Sequence, residues 1–289
     1  MSAWLCLLFF AQAAQPDTAD SIMARVAQNQ KLAQEMRSAF VYHQNVMIRF
    51  NRTNGKLARE EYHEYTVTPS AKGFNKEQTL FRGKYADHGK VVDFDKPGYE
   101  HKNIDLDADL ANDLLNDFTN DQKSRDGIES DLFPLGPEQQ KKYNFRLEGT
   151  EEYRGVPVYR ITFVPKRPSI DDDNDGDIWA GEVLVHRSEY QPVLITTHMA
   201  AKIPMLVKTL LGTNIQQIGF KLSYQKFDEG LWFPVTYGGE FKFRGLFFYV
   251  RNVGISLQNS DFQRAQVGSK VRFNDPQLLS SVAPWFFSW

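Results

Sequence analysis

Trp232-Phe233-Pro234-Val235-Thr236-Tyr237-Gly238-Gly239-Glu240-Phe241-Lys242-Phe243 alternates large apolar with small or polar residues, and so does 247–257, through Phe247, Tyr249, Val253, Ile255 and Leu257. A period of two is the signature of a strand with one buried face, because successive side chains of an extended chain point to opposite sides. Read this way, Phe233, Val235, Tyr237, Phe241 and Phe243 share one face, and Tyr249 and Val253 belong to the matching face of the next strand. The same pattern recurs over 143–148, 156–164, 178–186 and 193–201, with Arg154-Gly155 and Gln191-Pro192 as breaks. Toward the N-terminus, Tyr42, Val46, Ile48 and Phe50 alternate before Asn54-Gly55, a hairpin turn signal, and 56–68 returns with Tyr62, Tyr65 and Val67 among charges, as a strand with one solvated face.

Two stretches break the β pattern. Residues 21–40 place Ile22, Val26, Ala33, Met36 and Phe40 at helical spacing, with Ser21 as the cap. Residues 105–142 form a helical insert: Leu106, Leu110, Leu114 and Phe118 make an i, i+4 ridge, and Phe133-Pro134-Leu135-Gly136-Pro137 interrupts the chain before a short helix over 138–142. A third helix is expected over 203–211, nearly all apolar and ended by Gly212, with Leu206 and Leu210 on it. It reads as a cavity lid, a membrane-touching segment or a buried connector. The architecture that follows is α+β and mainly antiparallel β: a curved, half-open barrel of about ten or eleven strands wrapped on an N-terminal helix, with a helical insert or lid. One domain over 21–262 is expected, followed by a tail, 263–289, that ends in Pro284-Trp285-Phe286-Phe287-Ser288-Trp289 and either docks in a groove, touches lipid or frays.

Composition narrows the function classes. A net charge of -2 with no dense basic run excludes nucleic acid as a partner. Residues 1–14 read as an export signal, with the apolar run Trp4-Leu5-Cys6-Leu7-Leu8-Phe9-Phe10 and small residues at Ala11 and Ala13. Cys6 is the single cysteine, so the processed chain would carry no disulfide, which suits a soluble protein of a bacterial periplasm.

The search for chemistry returns little. No nucleophile elbow, phosphate loop, dinucleotide fingerprint or His-Glu-x-x-His helix is present, and the six histidines are scattered, so the chain reads as a non-enzyme with no certain cofactor. The exception is Asp171-Asp172-Asp173-Asn174-Asp175-Gly176-Asp177, which matches the first positions of a calcium loop, with Asp171, Asp173, Asp175 and Asp177 as oxygen donors. Its flanks do not fit an EF-hand, because Pro165 and Pro168 precede it and a strand follows. A weak Ca²⁺ site and a solvated acidic loop are both open.

Several segments together resemble a known family: Arg59-Glu60-Glu61-Tyr62 with Tyr65-Thr66-Val67-Thr68-Pro69, Tyr143-Asn144-Phe145-Arg146-Leu147-Glu148-Gly149, Val158-Tyr159-Arg160-Ile161-Thr162-Phe163-Val164-Pro165-Lys166 and Gly230-Leu231-Trp232-Phe233-Pro234. The chain resembles the outer-membrane lipoprotein-sorting proteins of the LolA/LolB-like superfamily, over about 21–262. The resemblance implies a half-closed sheet on a helix with a lidded apolar cavity, and lipid or lipoprotein acyl chains as ligand. It also implies a periplasmic carrier with transient membrane contact. The alternative is an envelope sensor that uses the same fold to bind a partner protein. The 105–142 insert and the acidic loop depart from the lipoprotein carriers, and no individual binding residue is carried over.

Overall fold

A computed structural model describes residues 17–70, 73–119, 133–167, 179–200, 214–228, 230–245 and 248–265. The chain begins with α1 (Ala19–Arg37), then β1 (Phe40–Asn51), β2 (Leu57–Ser70), β3 (Gly73–Asp87) and β4 (Lys90–Phe94). The helices α2 (Leu106–Thr119) and α3 (Pro137–Gln140) follow, and then β5 (Tyr143–Tyr153), β6 (Val156–Pro165), β7 (Trp179–His186), β8 (Pro192–Met199), β9 (Asn214–Asp228), β10 (Leu231–Gly245) and β11 (Tyr249–Arg264).

All eleven strands lie in one sheet in the order β4-β3-β2-β1-β11-β10-β9-β8-β7-β6-β5. Every recorded ladder is antiparallel. Two meanders, β1 to β4 and β5 to β11, are thus sewn together where β1 pairs with β11, from Phe40↔Arg264 to Asn51↔Asn252. The edge strands, β4 and β5, are consecutive in the chain and do not pair with each other. The sheet is curved and unclosed. α1 packs against both β10 and β5, which four strands separate in the sheet. α1, about 28 Å long, lies across these strands, from Asp17 beside Tyr159 of β6 to Arg37 beside Trp232 of β10.

The start of α1 is a capping box. Thr18 Oγ1 accepts from the Ser21 amide at 3.2 Å, and Ser21 Oγ accepts from the Thr18 amide at 2.9 Å. The cap is therefore Thr18, three residues before the position expected from the sequence. Ile22, Met23, Val26, Ala27, Gln30, Ala33 and Arg37 are buried, whereas Met36 is exposed and Phe40 already belongs to β1. Polar bonds fix the helix along its length. Asn29 donates to the carbonyl of Glu189 at 2.8 Å, Gln30 to Gln191 Oε1 at 2.6 Å and Arg37 to the carbonyl of Trp232 at 2.8 Å. The Asn54-Gly55 turn forms as expected, with Gly55 at φ 79°, where a side chain would be strained.

Candidate functional site

The face of the sheet turned toward α1 is apolar from β1 to β5. Val46, Ile48 and Phe50 of β1 lie beside Leu257, Ile255 and Val253 of β11. The surface continues through Tyr237 and Phe241 of β10, Phe220, Leu222 and Tyr224 of β9, and Val193 and Ile195 of β8. It then passes through Trp179, Val183 and Val185 of β7 to Val158, Ile161 and Phe163 of β6 and Tyr143 of β5. Phe133 lies edge-on to Tyr237 at 6.1 Å, and Ala111 and Leu114 of α2 join the same cluster.

The expected single face of β10 holds only in its second half. Tyr237 and Phe241 are in the cluster and Phe243 packs against it. Phe233 and Val235 do not share that face. The register with β9 shifts between Pro234 and Thr236, which leaves Val235 as the extra residue of a bulge, half-buried and off the main face. A bulge displaces everything beyond it by one position, so Trp232 takes the inward place. Phe233 instead joins a small separate cluster with Phe40, Leu231 and Phe262. Pro234 was the signal, since proline inside a strand is confined to edges and bulges. Val253 is in the main cluster, and Tyr249 is buried but turned to polar use: its hydroxyl donates to Asp107 Oδ1 at 2.5 Å. Leu206 and Leu210, the calcium candidates Asp171, Asp173, Asp175 and Asp177, the export signal and the aromatic tail all lie outside the described residues.

At β2 the face turns polar, which the sequence reading missed. Arg59, Glu61 and His63, opposite Phe50, Ile48 and Val46 of β1, are each about 1% exposed. They form a closed chain of bonds. Asp105 Oδ2 accepts from His101 Nδ1 at 2.6 Å and lies 3.4 Å from Arg59, whose Nε donates to Glu61 Oε1 at 2.6 Å. Glu61 Oε2 lies 3.1 Å from His63 Nε2, and His63 Nδ1 faces the Tyr65 hydroxyl at 3.2 Å and the Gln78 amide nitrogen at 3.3 Å. Those two donors assign the acceptor role to Nδ1 and the proton to Nε2. Burial works against the Glu61 carboxylate, but the bond from His63 and the charge of Arg59 outweigh it and hold its pKa below the usual range. Aromatic rings cover the chain: Phe94 lies 4.6 Å from the Arg59 guanidinium, over Gly83, and Tyr85 stacks on His101 at 4.4 Å.

Two buried carboxylates also anchor the insert. Asp105 caps α2 through the Ala108 amide while bound to Arg59. Asp107, in the first turn, takes two bonds from Arg251 of β11, at 2.7 and 2.9 Å. The polar border then continues at the far end of the face. Lys76 donates to Gln44 Oε1 at 2.8 Å, Gln44 to Asn259 Oδ1 at 3.1 Å, and Asn259 to the carbonyl of Pro234 at 3.0 Å. That row separates the main cluster from the Phe233 group. Among the described residues, no group of His, Cys, Asp and Glu is arranged to hold a metal ion.

No family model and no curated protein matches the chain. Solved structures do. A domain from Vibrio parahaemolyticus assigned to the outer membrane lipoprotein-sorting proteins is 11% identical, with 89% of this chain and 97% of that chain covered and a TM-score of 0.39. A LolA superfamily protein from Nitrosomonas europaea is 12% identical over 88% and 97%, at a TM-score of 0.34. A DUF1329 family protein from Desulfovibrio piger is 13% identical over 87% and 95%, at 0.35. The sheet resembles theirs. At these identities and TM-scores the comparisons carry no ligand, activity or family across.

Proposed function

We propose that the protein is a periplasmic carrier that holds lipid-like or acylated ligands, lipoprotein acyl chains included, against the apolar face of its open sheet. One observation supports this reading: a continuous apolar face from β1 round to β5, packed under α1 and α2, on a sheet whose edge strands β4 and β5 do not pair. An open sheet gives an acyl chain a way in, and burial needs no directional chemistry, since each CH₂ removed from water contributes about 0.8 kcal/mol. Among the described residues no helix is long and apolar enough to cross a membrane. Native mass spectrometry of protein exported to a bacterial periplasm tests the reading. The expected result is an adduct that releases a fatty-acyl species on activation. A bare protein mass, with no uptake of added phosphatidylglycerol, would overturn it.

A second reading, an envelope protein that docks a partner, draws on the opposite end of β10. There Phe227 is half exposed beside Phe233 and Phe262 in a groove of about 600 Å³, where β11 bulges at Asp261, φ 55°. Loss of a periplasmic cross-link in Phe227→Ser, with acyl binding intact, would favour it. The calcium reading of Asp171, Asp173, Asp175 and Asp177 rests on the sequence pattern. Its test is a rise in Tm at millimolar Ca²⁺ that Asp173→Ala abolishes.

A further inference from the structure

Trp179 opens β7 and stands opposite Met199, the last residue of β8, on the apolar face. It is 5% exposed and belongs to the main cluster, with its ring edge-on to Phe220 at 5.1 Å and 71°. Its indole Nε1 is buried and has no hydrogen-bond partner among the described residues. An indole nitrogen only donates, and buried tryptophans nearly always find an acceptor. A buried donor left unpaired is costly, and each such group in a folded protein calls for a reason. The neighbouring hydroxyl-bearing side chain on this face is already engaged: Thr197 Oγ1 accepts from the Phe220 amide at 3.1 Å.

We propose that the Trp179 indole N–H is the polar anchor of the ligand site and donates to an acyl carbonyl, the ester or amide oxygen at the head of a fatty chain. This deepens, and rests on, the carrier reading. An alkane and an acyl ester of equal length bury similar apolar area on the sheet, but only the ester offers an acceptor. Trp179 therefore selects acyl chains from other apolar molecules and sets how deep the chain lies, with its head at the β7 end of the face.

The experiment compares methyl palmitate with heptadecane as competitors of 1-aminoanthracene fluorescence, on wild type and on Trp179→Phe, which keeps a ring and removes the N–H. Wild type should bind the ester more tightly, and Trp179→Phe should lose roughly three- to tenfold in ester affinity, the range of one hydrogen bond, with heptadecane unchanged. In ¹⁵N-tryptophan spectra of wild type, one indole signal should move downfield with methyl palmitate and not with heptadecane, a readout independent of how well the variant folds. Equal binding of both probes, with no indole shift, would overturn the anchor and leave the carrier standing. Failure of both probes to bind would overturn the anchor and the carrier together.

Discussion

The two halves of the inward face solve the same packing problem in opposite ways. From β1 round to β5 the face is held by apolar area, with Val183, Ile195, Leu222 and Tyr237 in neighbouring strands. On β2 it is held by directional bonds among charges: Arg59 between Glu61 and Asp105, and Glu61 against His63. Apolar contacts are exchangeable, so a ligand can replace one with another at small cost. Buried ionic bonds are not, because removal of one partner strands a charge. The difference divides the sheet into a fixed wall, to which the insert is anchored by Asp105 and Asp107, and an accommodating wall suited to a variable occupant.

The sharpest way to break this comparison is at its fixed end. Arg59→Ala leaves two buried carboxylates without their cation, and a loss of about 3–5 kcal/mol in urea unfolding is expected. The double variant Arg59→Met/Glu61→Leu should recover most of that loss, since an apolar replacement strands less charge. A loss below about 1 kcal/mol in Arg59→Ala would show that the chain of bonds does not hold the wall. The same wall sets acid sensitivity. The Glu61 pKa is depressed in the fold, so its contribution is fully present above its unfolded value of 4.5 and is lost as the pH falls through the lower folded value. Acid unfolding of wild type should therefore steepen below about pH 4.5, and Glu61→Gln should remove that component.

The accommodating wall should respond less to a small deletion. Ile195→Val removes one methylene from a fully buried side chain in the middle of the face, and about 0.5–1.5 kcal/mol is expected by the same urea measurement. A loss as large as that of Arg59→Ala would mean that the apolar face is as rigidly specified as the polar one, and the division of the sheet would fall.

Much of the accommodating wall was legible from its period of two, because β1, β6, β8 and the second half of β10 place apolar residues at alternate positions toward a common core. Of the Leu106, Leu110 and Leu114 ridge read at helical spacing, Leu114 is buried and Leu110 packs against the core, whereas Leu106 stands outside it and Ala108 and Ala111 complete the buried face of α2. The fixed wall was not legible. Residues 59–65 of β2 carry polar or charged groups on both faces, so alternation cannot say which face is inward. The partners that settle it, Tyr99, His101 and Asp105, lie some forty residues further along the chain. β3 was hidden similarly, being half exposed along most of its length. The orphan Nε1 of Trp179 is a property of packing, with no local signature at all.

One further test lies where the two walls meet. Lys76 of β3 reaches across β2 to Gln44 of β1, at the end of the polar row that borders the apolar face. Burial pushes its ammonium down from 10.5 to about 7. The folded state thus releases a proton that the unfolded chain keeps until about pH 10.5, so folding stability should climb as pH rises from 7 toward 10.5. Lys76→Met, which keeps the stem and loses the amine, should flatten that climb and be at least as stable as wild type at pH 6. Acetic anhydride labelling should find Lys76 half-reactive near pH 7, far below the other lysines. A labelling midpoint near 10 would mean that the border row is open to water, and the apolar face would then lack a sealed end on that side.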